Sequence, residues 1–435
     1  MSTVDASDIS PETTWELYEM CLAFLEAPFY HLALEAVLLL MVIWLLFHKS
    51  YKPKETELTE QEKEQLISEW TPEPLVPDSD ENHYSLKPRT VSGKVGKFIV
   101  IDGEKKCLNA ATHNYLGLVE HPKLETAALN CLRKYGVGSC GPRGFYGTVD
   151  IHLELEANLA QFMKVEEAVL YSYGFSTISS AIPAYAKHGD VVFVDAGVNF
   201  AIQKGLVGSR SEIHFFKHND PDDLERLLKE QAERDKRNPS KAKVTRRFLV
   251  LEGIYINYGD ICPLPRMVEL KNKYKVRIFI DEACSFGVLG ATGRGVTEHL
   301  NIPIDEIDLI TATLEAAIPS YGGFCIGTSF IVDHQRLSGL GYCFSASLPP
   351  LQAGVAIAAL EILNSSPDIV HDLKENCIYM QEHLLKIPEL TICCDTLSPI
   401  KHLYLAEPLP REQALKKLND IVNYVSNTSV FFSIN

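Results

Sequence analysis

From Phe98 onward the chain repeats one pattern: a short run of β-branched or aromatic residues, then a helix-sized amphipathic segment. The runs predict strands over 98–101, 168–171, 191–194, 212–216, 248–251, 277–280, 309–312 and 324–326. The segments predict helices over 123–135, 151–163, 176–185, 221–234, 265–274, 351–363 and 368–385. Parallel neighbours need a crossover of about a dozen residues or more, which these helical segments supply. The runs are apolar at nearly every position, as strands covered on both faces must be. The chain is therefore predicted to be α/β, with a mostly parallel sheet flanked by helices. Such sheets bind ligands beyond the carboxyl ends of their strands, where functional residues are expected.

Ahead of this pattern, residues 32–47 read LALEAVLLLMVIWLLF. With Phe29 and Tyr30 in front, the stretch approaches the ~20 residues that span a bilayer. Acidic residues precede it and Lys49, Lys52 and Lys54 follow it, so the bulk of the chain is expected on the cytosolic side. A cleaved signal peptide fits badly, because no A-x-A site follows. The reading is an acidic lumenal segment over 1–28 and a single-pass transmembrane anchor over 29–48. An in-plane interfacial helix is the alternative, since Glu35 is expensive in hydrocarbon. Residues 49–97 form a polar, Pro-bearing linker and arm with one amphipathic helix over 57–70. A large domain over 98–350 and a smaller C-terminal domain over 351–435 complete the expected organisation.

Composition removes several function classes. A net charge of −16 without a long basic run argues against nucleic acid, which needs phosphate-neutralising cations. The 11 Cys are scattered with no C-x-x-C pair, so neither a structural metal nor a catalytic dithiol is signalled.

Two stretches carry candidate chemistry. Residues 135–148 read YGVGSCGPRGFYGT, too rich in Gly for a helix or strand interior, and contain Cys140, Arg143 and Tyr146. Arg143 is either an anion anchor or half of a structural ion pair, and the helix that follows carries Asp150, His152, Glu154 and Glu156. Residues 277–295 end an apolar run in Asp281-Glu282. A carboxylate at a strand end can pair with a protonated ring nitrogen, as an Asp does toward pyridoxal phosphate (PLP).

Eight strings then occur in order: NYLG (114–117), GSCGPRGFYGT (138–148), HLELE (152–156), YSYGF (171–175), EGIY (252–255), GDICPLP (259–265), DEACSFGVLG-x-TGRGV-x-EH (281–299) and FSASLPP (344–350). Over roughly 98–385 the chain resembles the α-oxoamine synthases, fold-type I PLP enzymes that condense an amino acid with an acyl-CoA. The resemblance implies a PLP-transferase large domain, a small C-terminal α/β domain and a dimer with sites at the subunit interface. Asp281 takes the place of the family's ring-nitrogen partner. Phe200 and Cys284 stand where the family has His. Ser345 resembles a hydroxyl that reaches the neighbour's cofactor phosphate. Cys140, Arg143 and Tyr146 fall in the loop near that interface.

One family position is broken. The Schiff-base Lys belongs to a turn before a Gly-Gly pair, and here the slot holds Glu315 or Ala316. No Lys occurs between Lys275 and Phe324, and neither side chain in the slot can form an imine. The resemblance therefore implies a non-catalytic subunit paired with a Lys-bearing paralogue that holds PLP covalently. With the anchor, it implies L-serine and palmitoyl-CoA as substrates, a sphingolipid base precursor as product and an endoplasmic reticulum membrane. An active homodimer and a membrane-anchored scaffold are the competing readings. The ending VSNTSVFFSIN resembles nothing in the family, and its sequence predicts an uncovered sheet edge.

Overall fold

Seven strands build the central sheet: β1 Glu167–Tyr171, β2 Val191–Asp195, β3 Glu212–Phe216, β4 Arg247–Glu252, β5 Arg277–Asp281, β6 Leu309–Thr313 and β7 Gly323–Gly327. Their order is β1-β7-β6-β5-β4-β2-β3. The strands from β6 to β3 run parallel. β7 runs antiparallel to both neighbours, β1 and β6. Only a helix-free turn joins β6 to β7, too short for a crossover, so the chain must double back. Every residue of β2 is buried, in keeping with a sheet covered on both faces.

The coordinates are a computed structural model that describes residues 28–48, 58–72 and, apart from 104 and 429, 88–432, with single positions at 18, 19, 22, 75 and 86. The chain divides into two compact units, 1–86 and 87–435. In the first, Phe29–Phe47 is a helix with no buried residue, long and apolar enough to cross a membrane. At 1.5 Å per residue it spans about 28 Å. Glu60–Glu69 is a helix closed by a capping box between Thr59 and Glu62, shorter at both ends than the predicted 57–70. The acidic stretch expected over 1–28 falls mostly outside the described residues.

In the second unit, the helix Pro350–Ser365 packs on Pro122–Tyr135 and Asp150–Met163 within the main core. Gly354 permits this approach, since a Cβ there would lie 2.2 Å from Cys131 Sγ. The predicted boundary at 350 assigns this helix to the C-terminal domain, yet it is buried in the large core. Leu390–Ile392 and Leu403–Leu405 pair antiparallel, and the helix Arg411–Asn427 follows. The ending then pairs with the start of the unit. Val430–Phe431 lies parallel to Lys105–Asn109 as the fourth strand of a sheet with Val91–Ser92 and Phe98–Ile101. This sheet has its own small core of Ile99, Ile101 and Cys107, against which Val91 and Phe431 pack.

Candidate active-site cleft and interface loop

Strand register sets the first group of polar residues. Asp281 on β5 is flanked in register by Glu252 on β4 and Thr311 on β6, forming a row at the carboxyl edge of the sheet. Asp281 is buried and accepts from Asn199 Nδ2 at 3.0 Å, Ala283 N at 3.1 Å and Thr311 Oγ1 at 3.3 Å. Burial pushes its carboxyl up to about 6 against the pull of those donors. Glu252 accepts from the backbone of Asn199 and Ile256. Burial and then the Asp281 charge push it up to about 8. Glu282 accepts from Val296 N and the Ser285 hydroxyl, and burial pushes it up to about 7. Asn199 is the hinge of the group, since its Oδ1 also caps the helix Phe200–Ser209 through Ile202 N at 3.1 Å. Sequence reasoning missed Asn199 and Glu252 as site residues. The available signals were an Asn just before an apolar run and a Glu at a strand end.

Phe200 opens that helix, largely exposed, with its ring 6.0 Å from Phe175. Lys204 Nζ lies 4.8 Å from the centroid of the same Phe200 ring. Cys284 is buried, and burial drives its thiol pKa up, which disfavours a thiolate. A second cluster sits beyond β2 and β3. His218 bridges Asp195 Oδ1 at 2.7 Å and Asp260 Oδ2 at 2.9 Å, with the Tyr258 ring stacked 4.0 Å away.

The turn after β6 holds the lysine slot. Ala316 is buried, and its carbonyl accepts from Tyr115 N at 3.4 Å, so the NYLG string docks on this turn. Glu315 is exposed and its Oε1 accepts from Gly174 N at 3.0 Å, the first residue of the helix Gly174–Tyr185. Thr313 Oγ1 accepts from Glu315 N at 3.2 Å and fixes the turn.

The Gly-rich loop is tied to the turn that carries Ser345. Pro142 and Ala346 form an isolated antiparallel bridge. Ser347 N donates to Gly141 O at 3.0 Å, and its hydroxyl donates to Ser139 Oγ at 2.6 Å. Ser347 is thus the buried tie, while Ser345, two residues earlier, is half-buried with no hydrogen-bond partner among the described residues. Cys140 is exposed, and Tyr146 is 99% exposed in the left-handed region at φ 62°. Arg143 is buried, with Nε on Thr148 Oγ1 at 2.9 Å and both terminal nitrogens on Glu156. Of the two roles open to Arg143, the structure displays the ion pair.

PLP would require an imine-forming amine, a partner for its ring nitrogen and donors for its phosphate. Asp281 can meet the second need. The slot for the first falls at Glu315 or Ala316, neither of which carries an amine, and the Glu315 carboxylate takes a backbone donor at the helix start. The residues of this chain's own cleft therefore do not fit a covalently held PLP.

The aminotransferase class I and II family matches residues 105–429. Long chain base biosynthesis protein 1b of Oryza sativa subsp. japonica is 44% identical over 375 residues, covering 86% of this chain and 77% of that protein. Serine palmitoyltransferase 1 of Dictyostelium discoideum is 43% identical over 398 residues, covering 90% and 81%. Among solved structures, a serine palmitoyltransferase variant from S. paucimobilis with bound PLP–myriocin aldimine superposes with a TM-score of 0.70 at 26% identity, covering 79% of this chain and 82% of that one. A PLP-dependent transferase fold, the ordered motifs and relatives of this identity over most of the chain agree: the chain belongs to the serine palmitoyltransferase 1/long chain base biosynthesis protein 1 family.

Proposed function

We propose that this chain is the non-catalytic subunit of a heterodimeric serine C-palmitoyltransferase, which joins L-serine to palmitoyl-CoA to give 3-ketosphinganine. The observation that carries the reading is the lysine slot, which falls at Glu315 or Ala316: Glu315 is bonded to Gly174 N, and neither side chain can form an imine. PLP is then held covalently by a Lys-bearing paralogous subunit. This chain's contribution is the face it presents at the interface: the loop with Cys140, Arg143 and Tyr146 and the turn with Ser345. Asp281 and Phe200 keep their family-equivalent positions but serve this chain's own fold. The helix Phe29–Phe47 supports a single-pass anchor in the endoplasmic reticulum membrane with the bulk of the chain cytosolic. An anchor of this kind shortens the path of a long-chain acyl donor between the membrane and the shared site.

The test is to purify the chain alone and with the paralogue, then measure condensation of L-serine with palmitoyl-CoA and borohydride-trapped pyridoxyl groups on each chain. Activity only in the pair, with the pyridoxyl group on the partner, is the expected result. A trapped adduct and turnover in the chain alone would overturn the reading.

A further inference from the structure

We infer that Glu315 is a built-in anion, which closes the start of the helix Gly174–Tyr185 to the phosphate of a cofactor or other ligand. Four observations carry this. The helix starts at the carboxyl end of β1, where ligands of open α/β sheets bind. Its N-cap, Tyr173, offers no side-chain cap, so the terminal amides are left to another acceptor. Glu315 Oε1 takes the first of them, Gly174 N, at 3.0 Å. The approach is also built into the backbone. A Cβ on Gly174 would meet Thr313 Oγ1 at 2.4 Å and Glu315 Oε2 at 3.2 Å, and Thr313 in turn holds the Glu315 amide.

The chemistry follows from the helix dipole. A helix start favours one negative group, and a second anion there meets the charge of the first. Glu315, beside or at the empty lysine slot, thus places a carboxylate on a backbone donor that a phosphate would use. The same carboxylate acts on His113 in the upward sense, but burial outweighs it and holds that imidazole below its ordinary value, so His113 does not neutralise Glu315. The inference deepens the proposed role and rests on it only in taking the chain to lack its own Schiff base.

The experiment uses the full chain in detergent and inorganic phosphate as the probe, with sodium chloride at matched ionic strength as the control. Melting temperature is followed against phosphate for the native chain, Glu315→Ala and Glu315→Gln. The native chain is expected to show no phosphate-specific rise. Glu315→Ala is expected to gain one that saturates in the millimolar range. Glu315→Gln keeps the shape and loses the charge, and a smaller gain is expected; it carries the comparison if the Ala variant does not fold. A native chain that responds as strongly as the variants overturns the inference, and so does a pair of variants that stays silent. Neither outcome depends on catalysis, so failure here is distinct from the borohydride result that would overturn the subunit reading.

Discussion

Arg143 and Glu156 meet in a two-point ion pair of 2.8 and 3.0 Å, with side chains only 4% and 8% exposed. Glu156 Oε1 also accepts from Leu170 N at 2.9 Å, so the pair fastens the Gly-rich loop to β1. Removing one member strands the other charge in the interior, which costs about 3–5 kcal/mol. Arg143→Ala is therefore expected to lower the denaturation midpoint of the full chain strongly. Arg143→Lys should restore only part of it, because an ammonium cannot make the paired contact. An Arg143 that served mainly as an anion anchor for the partner's site would instead leave the midpoint nearly unchanged and raise a Michaelis constant in the pair.

The same fastening holds aromatic side chains in the open. Tyr146 is 99% exposed and Phe344 is 78% exposed, on the two segments joined by the Pro142–Ala346 bridge. A left-handed non-Gly residue with a bare ring is a strained arrangement that the surroundings must enforce. Large rings on a rigid support are the usual anchors of an interface, and truncating such anchors costs about 2 kcal/mol or more each. Tyr146→Ala with Phe344→Ala is expected to weaken co-purification with the Lys-bearing paralogue by at least about tenfold. The chain alone should melt within a degree or so of the native one, because both rings are exposed and Ala at 146 meets the left-handed backbone on the same terms as Tyr. Undiminished pairing would remove this loop from the interface.

Each predicted strand of the central sheet is present, because apolar runs of that length between helical segments have few other uses. The direction of β7 was not legible, since an apolar run carries no sign; only the short turn before it decides. The helix Phe200–Ser209 was not predicted either. It is short and contains Gly205 and Gly208, poor helix formers in isolation. Packing rescues it: a Cβ on Gly205 would sit 3.1 Å from Ser179 Cα, so the glycine lets two helices touch. The site shows the same division. Asp281 and the missing Lys could be read from motifs. The Glu315–Gly174 and Asn199–Asp281 bonds join residues 141 and 82 positions apart, and no local pattern encodes such pairs.

Buried titratable groups give the stability a direction with pH. Burial alone would lower His218, but its bonds to Asp195 and Asp260 outweigh that and push it up to about 9. Its folded value lies above the unfolded one, so its contribution is fully present below about pH 6.5 and is lost as pH rises through about 9. Asp281, Glu282 and Glu252 are also raised, to about 6, 7 and 8. Through these four groups the folded chain holds more protons than the unfolded chain over the window, and all four act in the same sense; His113 and His152, lowered by burial, oppose them only near their ordinary values. Thermal midpoints are expected to fall steadily from pH 6 to pH 9. His218→Asn should flatten the part above about pH 6.5, and a profile that keeps its slope would exclude His218 as the source.

The small sheet gives a local prediction. Val430–Phe431 contributes only two residues, but Phe431 packs on Ile99, Ile101 and Cys107. Arg89 stacks 5.9 Å over its ring and donates to Ser426 Oγ at 2.6 Å, while Ala110 N donates to Phe431 O at 3.0 Å. This cluster is separate from the main hydrophobic core, so its loss should stay local. Phe431→Ala is expected to speed hydrogen exchange in peptides spanning 97–110 while leaving β2, β4 and β5 as protected as before. The reason is that opening the small sheet exposes its backbone donors without breaking any bond of the central one. If exchange instead rose across β2, β4 and β5 as well, the two sheets would unfold as one unit, and the final strand would be a support of the whole second unit.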